Sequence, residues 1–137
     1  MENKYRIWIT NYITANNGIV YGRCVDASKK MVADFPELKV VPGFIETSYT
    51  TDEHCWCVTS DGEIIDPTRA QYQGQLILEY RAFKPGDRVR VGKCMECGEI
   101  ITMAVQSLEV PTLAPHHPFC SIDCNDSFIA DQIRTFS

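Results

Sequence analysis

The chain has 137 residues, a net charge of −5 and seven cysteines. This length allows one ordinary domain, or one small domain with an appendage. The negative charge gives no electrostatic reason to expect a nucleic-acid partner, and no segment approaches the roughly 20 apolar residues that span a membrane. An odd cysteine count without a secretory apolar run favours a reducing, cytoplasmic location.

Two helices are predicted before the first strand. Apolar side chains at helical spacing predict an amphipathic helix over residues 3–15, which Asn16-Asn17-Gly18 should end. A second helix should begin at Cys24, because apolar and small residues recur at helical spacing from that point. Phe35-Pro36 should end it, since the residue before a proline disfavours helical geometry.

The segments after the second helix have strand patterns. Residues 38–47 predict a strand that is interrupted at Pro42-Gly43. Residues 54–58 and 63–68 predict a hairpin, because Asp61-Gly62 between them is a dipeptide that tight turns favour.

Three residues in the first half of the chain have the types and order of a thiol-enzyme triad. Cys24 would be the nucleophile, because the partial positive charge of a helix start favours the thiolate. His54 would act as base and acid, and Asp66 would fix its tautomer. Strand alternation places Cys55 and Cys57 on the face opposite His54, so we interpret both as core residues.

Each triad residue also has a structural interpretation. Cys24 alone could be a buried core thiol, His54 a hydrogen-bonded strand residue and Asp66 a turn former. A triad that has lost its activity is a further alternative. The chain order, with Trp56 and Thr68 beside the histidine and the acid, favours a working triad.

The motifs around these residues resemble the transglutaminase-like branch of the papain-like superfamily, where the triad has the same order. The matching motifs are Gly22-Arg23-Cys24, His54-Cys55-Trp56 and Asp66-Pro67-Thr68, within residues 16–75. The resemblance implies an α+β fold, with the cysteine-bearing helix packed on an antiparallel sheet. It also implies acyl transfer from a peptide, protein or small amide substrate to water or an amine. Candidates for the superfamily's upstream oxyanion side chain are Asn16, Asn17 and Tyr21.

The second half of the chain predicts a small separate unit. Strands are expected over residues 75–83, 88–91 and 100–105. We therefore predict an enzyme core over residues 1–87 and a second unit over 88–137. The second unit is too short to be stabilised by a hydrophobic core alone, so it needs a staple, that is, a cross-link such as a bound metal ion.

Two close pairs of cysteines, Cys94 with Cys97 and Cys120 with Cys124, predict a structural Zn²⁺ site as that staple. Four thiolates complete a tetrahedral ion and leave no open position for catalysis. The pattern resembles a treble-clef zinc finger, with the second pair at the start of a helix. A redox pair or disulfide is the alternative. His116-His117 could replace a ligand, although a loop role fits better beside four cysteines.

These features predict an α+β thiol acyl-transfer enzyme, a peptide or amide hydrolase, deamidase or transamidase, that carries a zinc finger. The alternative from another class is a non-catalytic binding module. In that interpretation the papain-like core is a scaffold, and the zinc finger docks a protein or nucleic-acid partner. The net charge favours a protein among these partners, and no membrane is expected.

Overall fold

The computed structural model describes residues 1–105 and 118–136, and the predicted α+β class is confirmed. The described residues form two units, one from Met1 to Phe83 and one from Lys84 onward, where the sequence predicted a boundary after residue 87. His116-His117 and the loop role predicted for them lie outside the described residues. Among the described helices, none has both the length and the apolar character needed to cross a bilayer.

Two helices begin the first unit, and both agree with the sequence prediction. The helix α1 (Asn3–Ala15) ends where Asn17 and Gly18 adopt positive φ angles of 55° and 78°. The helix α2 (Cys24–Asp34) ends before Phe35-Pro36. Aromatic side chains of α1 donate hydrogen bonds to acids in or just after α2: Tyr5 to Glu37, Trp8 to Asp34 and Tyr12 to Asp26.

Four antiparallel strands form the sheet of the first unit in the order β3-β2-β1-β4. They are β1 (Lys39–Thr47), β2 (Thr51–Val58), β3 (Ile64–Ile65) and β4 (Ile77–Ala82). The predicted hairpin is present, with Cys57 opposite Ile65 and Gly62 at a φ of 85°. Its second strand is shorter than predicted, because the chain leaves the sheet at Asp66-Pro67, where proline has no N–H for a ladder.

The predicted interruption at Pro42-Gly43 is wrong, because β1 runs through both residues. The Phe83 N–H donates to the Pro42 carbonyl at 3.1 Å, just beyond the end of β4. In an antiparallel strand the N–H and C=O of one residue point the same way. The N–H that proline lacks would therefore point toward β4, and its absence removes no bond to β2.

Gly43 lies where three strands approach one another closely. It is opposite His54 of β2 and Ala82 of β4. A Cβ built at Gly43 would lie 2.6 Å from the Trp56 ring and 2.8 Å from the Ala82 Cα, and still closer to the Arg81 carbonyl oxygen. The absence of a side chain therefore lets the Trp56 indole cross β1.

The core of the first unit lies between the helices and one face of the sheet. One of its clusters consists of the buried side chains Tyr5, Met31, Leu38, Cys57 and Ile65. Cys55 and Cys57 are both fully buried, which confirms the prediction that they are core residues. The opposite face of β2 carries His54 and Trp56, so the alternation separates the core thiols from the imidazole.

The second unit contains an antiparallel hairpin and a helix. The strands β5 (Arg88–Lys93) and β6 (Ile100–Ala104) pair along their length, and Val89 and Val91 are buried. The helix α3 (Ile122–Phe136) follows Cys120 and contains Cys124 in its first turn. The Phe119 and Phe128 rings lie 5.4 Å apart.

Candidate functional site

The structure brings His54 and Asp66 together in the first unit. The His54 Nε2 and Asp66 Oδ2 atoms are 2.8 Å apart, and the two side chains are 1% and 2% exposed. By the sheet register Asp66 lies level with Trp56, so its carboxylate reaches His54 diagonally. An ion pair that is buried to this extent is stable only if its remaining donors and acceptors are also hydrogen-bonded.

Cys24 is the first residue of α2 and is 5% exposed. Burial alone would lower the pKa of His54, but hydrogen bonds with Asp66 and with the Cys24 side chain outweigh it and raise the pKa to about 9. His54 is therefore protonated at neutral pH. Because Nε2 is bonded to Asp66, Nδ1 is the ring nitrogen available to the thiol.

Four donor contacts satisfy the Asp66 carboxylate. Oδ2 accepts from His54 Nε2 and from the Tyr80 hydroxyl at 2.9 Å. Oδ1 accepts from the Thr68 N–H at 3.0 Å and lies 3.4 Å from the Thr68 hydroxyl. Sequence reasoning missed Tyr80, because only the pairing of β1 with β4 brings this residue near the hairpin.

Aromatic rings surround the imidazole. The centroids of Trp56, Tyr72 and Tyr80 lie 6.1, 5.2 and 6.5 Å from that of His54. Burial is the largest cause that raises the pKa of both tyrosines, and nearby carboxylates add to it. Both hydroxyls therefore stay neutral, and the rings shield the His54–Asp66 pair from water. A cation beside aromatic faces is also favourable.

Gln71 is a second residue that sequence reasoning missed. It lies in the 3₁₀ turn Arg69–Tyr72, and its Nε2 is 3.3 Å from His54 Nδ1. The same Nε2 is 3.1 Å from the Thr68 hydroxyl oxygen. The sequence indicates this role only through the short spacing between Asp66 and Gln71. That spacing could not be interpreted before the 3₁₀ turn was known, because the turn is what returns Gln71 to the imidazole.

The three upstream oxyanion candidates have different surroundings. Asn16 Nδ2 donates to the Tyr12 carbonyl at 2.9 Å, at the end of α1. Asn17 is exposed, and Tyr21 is 83% exposed. The first-turn N–H groups of α2, which helical geometry leaves without intrahelical acceptors, are the donors nearest Cys24 in the chain.

The two core thiols, Cys55 and Cys57, have raised pKa values. Burial raises the pKa of Cys55 to about 12 and that of Cys57 to about 11. The Cys57 thiol donates to the Ser28 carbonyl at 3.6 Å. Both thiols are therefore protonated and packed against α2, which makes them poor nucleophiles.

The second unit brings Cys94, Cys97, Cys120 and Cys124 together. Their sulfur atoms all lie within 4.8 Å of one another and could hold a metal ion. Cys120 Sγ is 3.6 Å from both Cys97 Sγ and Cys124 Sγ. Tetrahedral zinc with Zn–S bonds of about 2.3 Å separates its sulfurs by about 3.8 Å. These distances fit a shared ion and are too long for a disulfide.

Backbone turns hold the cysteines in place. Gly98, at a φ of 78°, donates to the Cys94 carbonyl at 3.0 Å, and the Cys97 N–H lies 3.5 Å from Cys94 Sγ. The Cys97 N–H is the largest contribution that lowers the pKa of Cys94, to about 6. The Met95 N–H donates to the Pro118 carbonyl at 2.9 Å, which joins the two halves of the cluster.

Comparisons with protein-family models, with curated proteins and with solved structures give no match to this chain.

Proposed function

We propose that this protein is a thiol acyl-transfer enzyme that uses Cys24, His54 and Asp66. The Cys24 thiolate attacks the carbonyl of a peptide, protein or small amide and forms a thioester. The His54 imidazolium gives its Nδ1 proton to the leaving amine, and then takes a proton from the water or amine that cleaves the thioester. Asp66 keeps the ring oriented throughout.

One observation carries this proposal: the His54 imidazole bonds the buried Asp66 carboxylate through Nε2, and the Cys24 side chain contacts the same imidazole. The raised pKa of His54 suits a thiolate–imidazolium pair. The N–H groups of the first turn of α2 would stabilise the oxyanion. The fold that this proposal implies is the papain-like, transglutaminase-like one, with α2 packed against the sheet.

We also propose that Cys94, Cys97, Cys120 and Cys124 bind a structural Zn²⁺ ion in a treble-clef finger. The sulfur separations and the knuckle at Gly98 support this assignment. Four protein ligands leave no position for water or substrate, so the ion would take no part in acyl transfer. The thiol chemistry of both sites suits a reducing compartment such as the cytoplasm.

Alkylation by iodoacetamide at pH 6, read by mass spectrometry on the native protein, tests the nucleophile. Cys24 should react at least about tenfold faster than Cys55 or Cys57, because only Cys24 contacts an imidazolium. His54→Ala should remove this advantage. Labelling of Cys24 at or below the rate of the core thiols would refute the proposal.

A second function is supported by the surface of α3. Ile122, Ile129 and Ile133 are 77%, 48% and 64% exposed, and they recur at helical spacing. Such a stripe suits a protein partner docked on the zinc finger, with the papain-like core as a scaffold. In that case Cys24 would be unreactive, and replacing Ile129 and Ile133 by serine would abolish capture of the partner. The labelling experiment separates the two functions.

A further inference from the structure

A closed ring of hydrogen-bond contacts passes through both nitrogens of His54. From Nε2 it runs to Asp66, whose Oδ1 lies 3.4 Å from the Thr68 hydroxyl oxygen. From Thr68 it continues to the Gln71 amide at 3.1 Å and returns to Nδ1 at 3.3 Å. One short segment, Asp66 to Gln71, therefore contacts both sides of the imidazole.

This ring can be satisfied in either protonation state of His54. When Nδ1 is bare, the Gln71 amide donates to Nδ1 and to the Thr68 oxygen, and the Thr68 hydroxyl donates to Asp66. When Nδ1 carries a proton, the amide turns over, and its oxygen accepts from the Thr68 hydroxyl and shares Nδ1–H with the Cys24 sulfur. The Thr68 N–H holds Asp66 Oδ1 in both states.

We propose that Gln71 is a positioning residue whose amide reverses each time His54 gains or loses its proton, so that the ring stays aligned as acid and as base. The inference rests on the proposed function for its part in turnover. Among the described residues, the titratable groups that face His54 are Cys24 from α2, Asp66 after β3, Tyr72 from the 3₁₀ turn and Tyr80 from β4.

A neutral amide beside Nδ1 can serve the ring in both protonation states. A carboxylate there would only accept and would hold the proton on the ring, whereas an ammonium would only donate. An amide offers a donor and an acceptor of the same shape, so it stabilises both states. Gln71 is only partly buried, which leaves its side chain room to turn.

Nitrogen NMR on the uniformly ¹⁵N-labelled full chain tests the reversal directly. Above the His54 titration, a coupling across the N–H···N bond should join Gln71 Nε2 to His54 Nδ1. Below it the coupling should vanish, and the Gln71 amide resonances should shift with the same midpoint as the ring. Gln71 resonances that stay fixed through the His54 titration would overturn the inference.

Two substitutions at Gln71 and one matched control complete the test. Gln71→Glu, which can only accept, should raise the pKa of His54 by about one unit or more. Gln71→Met should slow alkylation of Cys24 by about tenfold through loss of ring alignment. Gln73→Met changes an exposed glutamine of the same segment and should change neither. If Gln71→Met matches Gln73→Met in both measurements, Gln71 has no positioning role.

The NMR signature does not depend on turnover, so the two proposals can fail separately. If the coupling between Gln71 and His54 is observed but Cys24 is not alkylated faster than the core thiols, this inference is supported and acyl transfer is refuted. A reactive Cys24 beside an uncoupled Gln71 would do the reverse.

Discussion

The two polar sites of this protein differ in what holds their atoms together. In the first unit, His54 and Asp66 are buried, and protein donors and acceptors satisfy them. In the second unit, the sulfurs of Cys97 and Cys120 lie 3.6 Å apart at the surface, with little protein around them. A hydrogen-bonded site is complete with protein atoms alone, whereas clustered thiolates repel one another unless a cation joins them.

Loss of the proposed Zn²⁺ ion should have the largest effect, and this effect should be confined to the second unit. Cys97→Ser, or a strong chelator, should unfold the residues from about 88 onward, because structural zinc contributes about 10–16 kcal/mol of binding free energy in such modules. Amide hydrogen exchange should show protection lost in β5, β6 and α3 and retained in β1 and β2.

Ser127→Ala is the matched control for the metal. It removes only the 2.9 Å bond to Glu96 and should leave both zinc content and exchange protection intact. Elemental analysis of protein purified without added metal should find one zinc per chain. A metal-free chain that still protects α3 would contradict the zinc assignment.

The first unit should lose stability as pH rises, because of His54. Its pKa is raised from 6.5 to about 9, so between these values the folded state holds a proton that the unfolded chain has released. The stabilisation is complete below pH 6.5, amounts to about 3 kcal/mol and disappears above pH 9. Urea unfolding at pH 6 and 9.5 should show this loss by tryptophan fluorescence, since both tryptophans lie in this unit.

Asp66→Asn should remove most of that pH dependence, because the carboxylate is the largest influence that raises the pKa of His54. If the free energy of unfolding falls with pH equally in the wild type and in Asp66→Asn, another group is responsible for the pH dependence.

Gly43→Ala should destabilise the first unit by about 2–3 kcal/mol without changing metal content. The added Cβ would meet the Trp56 ring and the Ala82 Cα, so the strands must separate. Gly62→Ala is the control, since Gly62 has a φ of 85° and open space around it. That variant should cost only about 1 kcal/mol of backbone strain. A smaller effect at Gly43 than at Gly62 would argue against close packing there.

Burial should also rank two tyrosine hydroxyls that donate to carboxylates. Tyr80 donates at 2.9 Å to Asp66, whose side chain is 2% exposed, and Tyr12 donates at 2.7 Å to Asp26, which is 45% exposed. Tyr80→Phe should lower the free energy of unfolding by about 2 kcal/mol, and Tyr12→Phe by about 0.5 kcal/mol. The exposed Asp26 carboxylate can replace the lost hydrogen bond with one to water, whereas the buried Asp66 carboxylate cannot. The reverse order would show that bond length outweighs burial.

Local patterns in the sequence were enough to predict α1, α2, the β2–β3 hairpin and the grouping of the four cysteines. The spacing of apolar residues and the turn at Asp61-Gly62 act over a few residues. The contact of Tyr80 with Asp66 and the passage of β1 through Pro42-Gly43 could not be predicted in this way. Both depend on which strand pairs with β1, and neither the sequence period nor residue propensity encodes that choice.

Gly43 also limits the registers in which β1 and β2 can pair during folding. A slip of two residues keeps every side chain on its proper face, so hydrophobic alternation alone does not exclude it. Such a slip would bring Val41 or Ile45 to the place where the Trp56 indole leaves no room for a Cβ. Because Gly43 alone has no side chain at this position, only one register of β1 and β2 avoids a clash with the Trp56 indole. Slipped registers that keep the hydrophobic alternation are excluded by that clash.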